Sequence, residues 1–388
     1  MCSAAGRACP CDHPVVPTGP PPARVAWVAV AVHLVLAAGI LLSFGRDPAA
    51  LVAFYGPDEP DCTSCALVYE RATDERGRPP ERRGPAGHDG AQFWVLAHDP
   101  LLLDDATFDQ LDRPSYRARR VLYPLLAAPA GLVSAELRYW ALLAVNLAAV
   151  AGGTWAAAVL ARTLGATTWA GLWFGLSPVA VFSTMFDLAD ALSLGLLIAT
   201  VLALRRDRWG VATAAATAAV LAKEPALLAV VALAAWPHGL PTATVARRVR
   251  LIAVPALVAA AWIGYATLRA AAEGSGTGEL VGLPFSAYWT TATEAWIPFG
   301  TWGDAAAGLS TLVLAGAVAA RWWRRRTPEL TMCLPYAAMA PFLSEGVIFR
   351  DENSLRALGP ALTMLGLDVA AERATRRRAT DPRATSAG

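Results

Sequence analysis

The stretch "VAWVAVAVHLVLAAGILLSF", Val25–Phe44, decides the fold class, because twenty consecutive residues contain no Asp, Glu, Lys or Arg. A helix of about 20 apolar residues is long enough to cross the hydrocarbon core of a bilayer. The run is too long for the apolar part of a secretory signal, so we interpret it as an uncleaved anchor. Only 16% of the 388 residues are charged, against about 25% in soluble domains. The sequence predicts an all-α, polytopic transmembrane helix bundle.

Further apolar runs predict about ten membrane spans in a domain that covers residues 25–370. The fifth and sixth runs are short, which indicates tilted or partly re-entrant segments. The predicted spans lie near 25–44, 138–161, 169–186, 188–204, 209–222, 225–236, 249–268, 303–320, 331–349 and 355–370. The terminal segments 1–24 and 371–388 are expected to be disordered tails.

The distribution of arginine predicts the orientation of these spans. When the sides alternate, one set of loops receives Arg162 and the arginine groups at 205–208, 247–250, 321–326 and 373–378. Short cytoplasmic loops collect Lys and Arg, so both termini are expected to be cytoplasmic in a multi-pass plasma-membrane protein. The loop 45–137, expected to contain short interfacial helices, and a second loop, 269–302, are then extracytoplasmic.

Two cysteines, Cys62 and Cys65 in "DCTSC", lie in the first predicted outer loop, where oxidation is allowed. They form either a small local disulfide or a pair of free thiols. Neither alternative implies catalysis.

The polar motif of the first loop is "GHDGAQFWVLAHDP", Gly87–Pro100. Asp89 follows His88 and precedes a glycine, and aromatic residues come soon after. Partial desolvation can raise the pKa of such a carboxylate and suit it to general-base catalysis. The alternative is an Asp-Gly turn. Asp99, in "HDP", is a second candidate with the same alternative.

Other ionisable residues are predicted at the outer ends of spans. Asp187 and Asp190 are spaced to share one helical face, and they serve either a direct role or as a capping pair. Lys223 and Glu224 stand between two short spans, where an ionisable pair indicates a functional site or a structural salt bridge. His33, within the first span, is expected to be packed or lumen-facing rather than a ligand.

The first-loop motif and the following "LDRPSYRARRVLYPLLA" (111–127) resemble a family of bacterial polytopic membrane proteins. The first external loop of that family carries a (Y/H)-D-G-Q-F-Y-Y…D-P signature and then a YRxxRxLYPLLA segment. "LAKEPALL" (221–228) and "FRDENSLRALGP" (349–360) resemble its later blocks more weakly. Ala91 is an insertion relative to the signature. The family resembles the GT-C superfamily, whose members transfer sugars from polyprenyl-phosphate donors outside the membrane.

The resemblance implies that Asp89 is the general base. From residue type and predicted position at the outer face, the possible catalytic or metal-assisting residues are His88, Asp99, Asp187, Asp190 and Glu224. A divalent cation is possible, and the identity of any metal is unknown. Cations would hold the donor phosphate, because arginine suits bidentate phosphate contacts. The predicted phosphate-binding residues are Arg117, Arg119, Arg120, Lys223 and Arg356, with lipid headgroup contact as the alternative for the "RARR" group.

The sequence is compatible with two classes of function. The first is a glycosyltransferase that uses a polyprenyl-phosphate sugar donor and a cell-envelope glycan, lipid or protein acceptor. The second is a transporter or flippase of a lipid-linked or envelope precursor, which the absence of an evident inverted repeat disfavours. Membrane lipids are expected partners, and nucleic acids are not.

Overall fold

The computed structural model describes residues 19–57, 63–82, 89–236, 238, 240, 243–270, 285, 301–343 and 351–380. These residues form helices and contain no β-strand, which confirms the all-α prediction. Several sequence predictions fall outside the described residues: those for His88, Cys62 and most of the segments 1–24 and 269–302. Cys65 is disulfide-bonded, and the partner lies outside the described part of the chain.

The described residues contain helices that are numbered α1 to α17 in chain order. They are Pro22–Ser43, Ala49–Val52, Thr63–Arg76, Asp89–Leu96, Ala106–Asp109, Pro114–Arg117, Leu122–Gly131, Ala135–Thr163, Leu172–Gly175, Pro178–Phe186, Asp190–Arg205, Trp209–Ala222, Ala226–Ala235, Val245–Ala270, Thr301–Arg325, Pro328–Met339 and Asp351–Thr380. A 3₁₀ helix, Thr168–Gly171, precedes α9, and another, Ala340–Phe342, follows α16.

Three helices, α1, α8 and α14, are long and apolar enough to cross a membrane. The segments Thr168–Gly175 and Pro178–Phe186 form a pair bent by 47°, which would count as a fourth, broken span. The bend coincides with Ser177, whose side chain caps α10, and with a proline at the first position of that helix. Membrane character is supported by these helices, while the set of ten spans stays a prediction.

The helix bundle is held together by small buried side chains. Ala157, Ala212, Ala216 and Ala219 belong to one apolar core to which α8, α11, α12 and α14 contribute. Alanine lets helix backbones approach closely, which is how membrane helices gain packing energy without a hydrophobic driving force. In α1, His33 is buried, with Nδ1 at 2.7 Å from the Thr184 hydroxyl and Nε2 at 2.8 Å from the Gly175 carbonyl. The expectation that His33 is a packed residue is confirmed.

The segment between α1 and α8 packs on one end of the bundle through a second apolar cluster. Phe54 and Trp94 of this segment pack with Tyr139 at the start of α8. The same cluster includes Leu188, just before α11, and Ala266, near the end of α14. The short helices α4 and α6 are therefore held beside the first turn of α11.

Gly90 fixes the position of Asp89 by close approach of backbones. A β-carbon at Gly90 would lie 2.2 Å from the carbonyl oxygen of Phe186 and 2.6 Å from that of Val52. Only glycine fits such a contact. Asp89 is the first residue of α4, so the Asp-Gly turn predicted as an alternative is wrong. Glycine is therefore needed at position 90 for close packing of backbones and not for a turn.

Asp187 and Asp190 do not lie on one helix, so the predicted shared helical face is wrong. Asp187 directly follows α10 and has a left-handed φ of 50°, which stops the helix. Asp190 is the first residue of α11. The break turns the two carboxylates toward different neighbours.

Candidate functional site

Asp89 lies among three guanidinium groups that come from distant parts of the chain. Its Oδ1 is 2.7 Å from Nη1 of Arg117. Its Oδ2 is 3.2 Å from Nη2 of Arg356 and 3.9 Å from Nη1 of Arg120. The bundle end therefore brings together the predicted base and three of the predicted phosphate-binding residues.

Two further acidic residues, Asp190 and Glu224, contact the same arginines. Arg356 contacts Asp190 at 2.9 Å, and Lys223 pairs with the other oxygen of the same carboxylate. Arg120 contacts Glu224 at 3.2 Å. Lys223 and Glu224 are thus oriented toward different partners. The simple hairpin salt bridge between them, considered from the sequence, is wrong.

Two further residues, Asp112 and Tyr116, complete the arrangement and were missed by the sequence reasoning. Asp112 accepts two hydrogen bonds from Arg117, both at 2.7 Å. The Tyr116 ring lies 4.5 Å from the Arg120 guanidinium carbon, and the tyrosine hydroxyl contacts the same side chain. A signal existed, because Tyr116 and Arg120 have the i, i+4 spacing of helical neighbours.

The resulting ion-pair network, here called the charge cluster, is electrically balanced when its described members are counted. Its four cations and four anions give 4 − 4 = 0 formal charge. The side chains are between 6% and 24% exposed. Its members are Arg117, Arg120, Lys223, Arg356, Asp89, Asp112, Asp190 and Glu224. Because these side chains are largely buried, each charged group depends on its ion-pair partners for its stability.

The pKa of Asp89 departs from the sequence-based expectation. Burial on its own would raise this pKa, but the positive charges of Arg117, Arg356 and Arg120 outweigh it and hold the pKa well below its usual range. The prediction that desolvation raises the pKa is therefore wrong in this arrangement. Asp89 is a carboxylate at neutral pH and a weak proton acceptor for as long as the three arginines contact it.

Burial and partner charges act in opposite directions on the neighbouring groups as well. Burial disfavours the charged form of Arg120, yet Glu224 and Asp89 outweigh it, and the pKa of this guanidinium is raised. Burial likewise opposes ionisation of Glu224, and the charge of Arg120 overcomes it to lower the pKa of that carboxyl. These groups remain ionised at neutral pH.

Three of the predicted site residues have other contacts. Asp99 accepts hydrogen bonds from the backbone N–H groups of Leu103 and Asp104, at 2.9 Å and 2.8 Å, which confirms the turn alternative. Arg119, two residues beyond α6, donates to the backbone carbonyl of Ser115. Asp187 is fully buried and accepts a hydrogen bond from the Tyr123 hydroxyl at 3.5 Å.

Asp89 and Asp99, two of the candidate residues for a divalent cation, are too far apart to share one. Asp89 is the first residue of α4 and Asp99 lies beyond its last residue, Leu96, and the eight residues of the helix span about 12 Å. Among the described residues, no group of three or more His, Cys, Asp or Glu side chains is arranged to hold a metal. We derive no catalytic step through a metal ion.

The charge cluster combines two chemical capacities at one end of the bundle. Arg117, Arg120 and Arg356 present guanidinium groups that suit a phosphate anion. The carboxylate between them can accept a proton if the arginines are drawn away. No protein-family model, no curated protein and no solved structure matches the chain.

Proposed function

We propose that the chain is a membrane glycosyltransferase of the plasma membrane. It transfers a sugar from a polyprenyl-phosphate donor to a cell-envelope acceptor on the extracytoplasmic face. Asp89 is the general base, and Arg117, Arg120 and Arg356 hold the donor phosphate. The observation that carries this proposal is the convergence of these three arginines on one carboxylate.

The proposed reaction needs one proton acceptor. The acceptor hydroxyl oxygen forms a bond to the anomeric carbon of the donor sugar, and the bond from that carbon to the phosphate oxygen breaks. The bonding electrons leave with polyprenyl phosphate, and the hydroxyl proton passes to the Asp89 carboxylate. A phosphate leaving group is already an anion, so no general acid is required.

Charge balance explains how a carboxylate with a low pKa can serve as the base. The described members of the charge cluster sum to zero charge, so one bound phosphodiester adds one negative charge to them. The phosphate also competes for the guanidinium groups that contact Asp89. Opposite charges near a carboxylate lower its pKa, so withdrawal of the arginines raises the pKa of Asp89 again. Donor binding thereby prepares the base.

The surface beside the charge cluster suits a lipid-linked donor. Helix α7 begins two residues after Arg120. It and the residues that follow expose Leu126, Leu132 and Val133, which are 50%, 90% and 77% exposed. Apolar side chains in this position favour contact with acyl or prenyl chains at the membrane interface. A donor could then place its phosphate at the arginines and its chain along α7.

The direct test is the consumption of polyprenyl-phosphate sugars by the purified protein. We expect one or a few sugars of a panel to be transferred, with release of polyprenyl phosphate. Arg120→Gln should raise KM for the donor roughly 10- to 100-fold, the effect of losing a charge-assisted contact. Arg206→Gln, an exposed arginine outside the charge cluster, is the matched control. Translocation of intact donor without any transfer would favour the flippase alternative.

The proposed orientation has its own test. Cysteines introduced at Gly84 and Arg324 report on the two sides of the membrane in intact cells. An impermeant thiol reagent should label position 84 and not position 324. The opposite pattern would place the charge cluster in the cytoplasm and contradict the proposal.

A further inference from the structure

A second charged site lies at the end of the bundle opposite the charge cluster. Helix α11 begins at Asp190, in the charge cluster, and ends at Arg205; its sixteen residues span about 24 Å. Immediately beyond it lies a cavity of about 360 Å³, within the size range of ligand pockets. The cavity is lined by Asp207, Arg208, Trp209, Gly210, Thr213, Arg247 and Arg250.

The lining of this cavity carries an excess of positive charge. Three arginines and one aspartate give 3 − 1 = +2. Asp207 accepts from Arg247 at 3.2 Å and from the Trp209 indole N–H at 2.7 Å. Arg208 and Arg250 have no carboxylate partner among the described residues. Two guanidinium groups at the cavity are thus available to an anion.

The helix surfaces that continue from the cavity are apolar and exposed. Val211 on α12 is 57% exposed, and Val249 and Leu257 on α14 are 55% and 69% exposed. Exposed apolar side chains beside a cationic cavity suit contact with lipid or another apolar partner. A cationic cavity bordered by such side chains matches a molecule with an anionic head and an apolar body.

We propose that this cavity binds the phosphate headgroup of an anionic phospholipid, with Arg208 and Arg250 as its principal contacts. The acyl chains then lie along the exposed valines and leucine of α12 and α14. Basic segments at the membrane surface attract anionic lipid by about 1 kcal/mol per arginine. The proposal is independent of the transferase activity, because the cavity and the charge cluster lie at opposite ends of α11.

The test measures Tm of the protein in a neutral detergent while one probe is added. The probes are phosphatidylglycerol, phosphatidylcholine and inorganic phosphate at matched concentrations. We expect a saturable rise in Tm with phosphatidylglycerol only. The double variant Arg208→Gln/Arg250→Gln should bind this lipid roughly 30-fold more weakly, from about 1 kcal/mol per arginine and about 1.4 kcal/mol per tenfold.

The matched control is Arg324→Gln/Arg377→Gln, which removes two exposed arginines outside the cavity. It should keep the response of the wild type. The proposal is overturned if phosphatidylcholine is as effective as phosphatidylglycerol. It is also overturned if both double variants respond alike. An equal response to inorganic phosphate would identify a site for free phosphate and not for lipid.

Discussion

The substitution Asp89→Asn tests the proposed base and has a structural cost that can be worked out. Asparagine keeps the size of the side chain but removes the charge that three arginines contact. Each arginine has a second carboxylate partner. For Arg117, Arg120 and Arg356 these are Asp112, Glu224 and Asp190, respectively. No buried cation is left without a partner, so we expect a loss of about 1–3 kcal/mol, less than the 3–5 kcal/mol typical of a broken buried pair.

The effect on activity should be larger than the effect on folding and should fall on kcat. Loss of the proton acceptor should lower kcat by about 10²- to 10⁴-fold. Donor affinity should stay the same or improve, because the three arginines no longer divide their contacts between Asp89 and the phosphate. Lower kcat with tighter donor binding is a pattern that partial unfolding does not produce, because a smaller folded fraction lowers apparent kcat and leaves donor affinity unchanged. If donor affinity is unchanged, matched amounts of folded protein separate the two causes.

The matched control is Asp112→Asn, which removes the same charge from the same network and also contacts Arg117. We expect it to lose less than about 10-fold in kcat, because Asp112 is a positioning residue and accepts no proton from the substrate. Product formation from a polyprenyl-phosphate sugar, at matched amounts of folded protein, is the assay. Near-normal turnover by Asp89→Asn, or equal losses in the two variants, would refute the assignment.

Three further predictions concern stability. Gly90→Ala should lower the unfolding free energy by about 1–3 kcal/mol because the added methyl group overpacks the site. Gly152→Ala, where the added β-carbon meets open space, should raise the unfolding free energy by about 0.5–1 kcal/mol. Measurement of Tm should therefore show a decrease for the first variant and an increase for the second. Burial holds the pKa of His98 below its ordinary value. Just below pH 6.5 the unfolded chain therefore binds more protons than the folded protein, and the free energy of unfolding should rise with pH there. The substitution His98→Gln should flatten the dependence of Tm on pH between pH 5 and 7. Arg205→Gln should cost about 3–5 kcal/mol, because the carboxylate of Glu329 is 1% exposed and depends on that arginine; a Tm equal to that of the wild type would contradict this.

Apolar runs were sufficient to locate several helices, though not to count membrane spans. The apolar run predicted at 209–222 coincides with α12, and the run at 138–161 lies within α8. The run at 169–186 is continuous in composition, yet the structure breaks it at Ser177. A serine followed by a proline is a cap signal, and it outweighs the apolar character of its neighbours.

The predicted orientation of the spans placed the four cations of the charge cluster on one face, but it could not identify their partners and Asp112 was missed. These cations are Arg117, Arg120, Lys223 and Arg356. One partner of Arg356 is Asp89, 267 positions earlier in the chain, and no local pattern encodes such a contact. The incorrect prediction for the pKa of Asp89 has the same origin. The burial of Asp89 was predictable from its aromatic neighbours in sequence, whereas its contacts with three arginines from distant parts of the chain were not.

The geometry of the charge cluster gives Asp89 a role that its other carboxylates do not share. Among the described carboxylates, Asp89 is the one that contacts Arg117, Arg120 and Arg356 together. An anion that engages these three guanidinium groups at once must therefore lie against Asp89 and compete with it directly. Asp112 and Glu224 each contact one of the arginines and would lose far less of their electrostatic support. Ligand binding should consequently raise the proton affinity of Asp89 more than that of Asp112 or Glu224, which supports the proposal that Asp89 is the base.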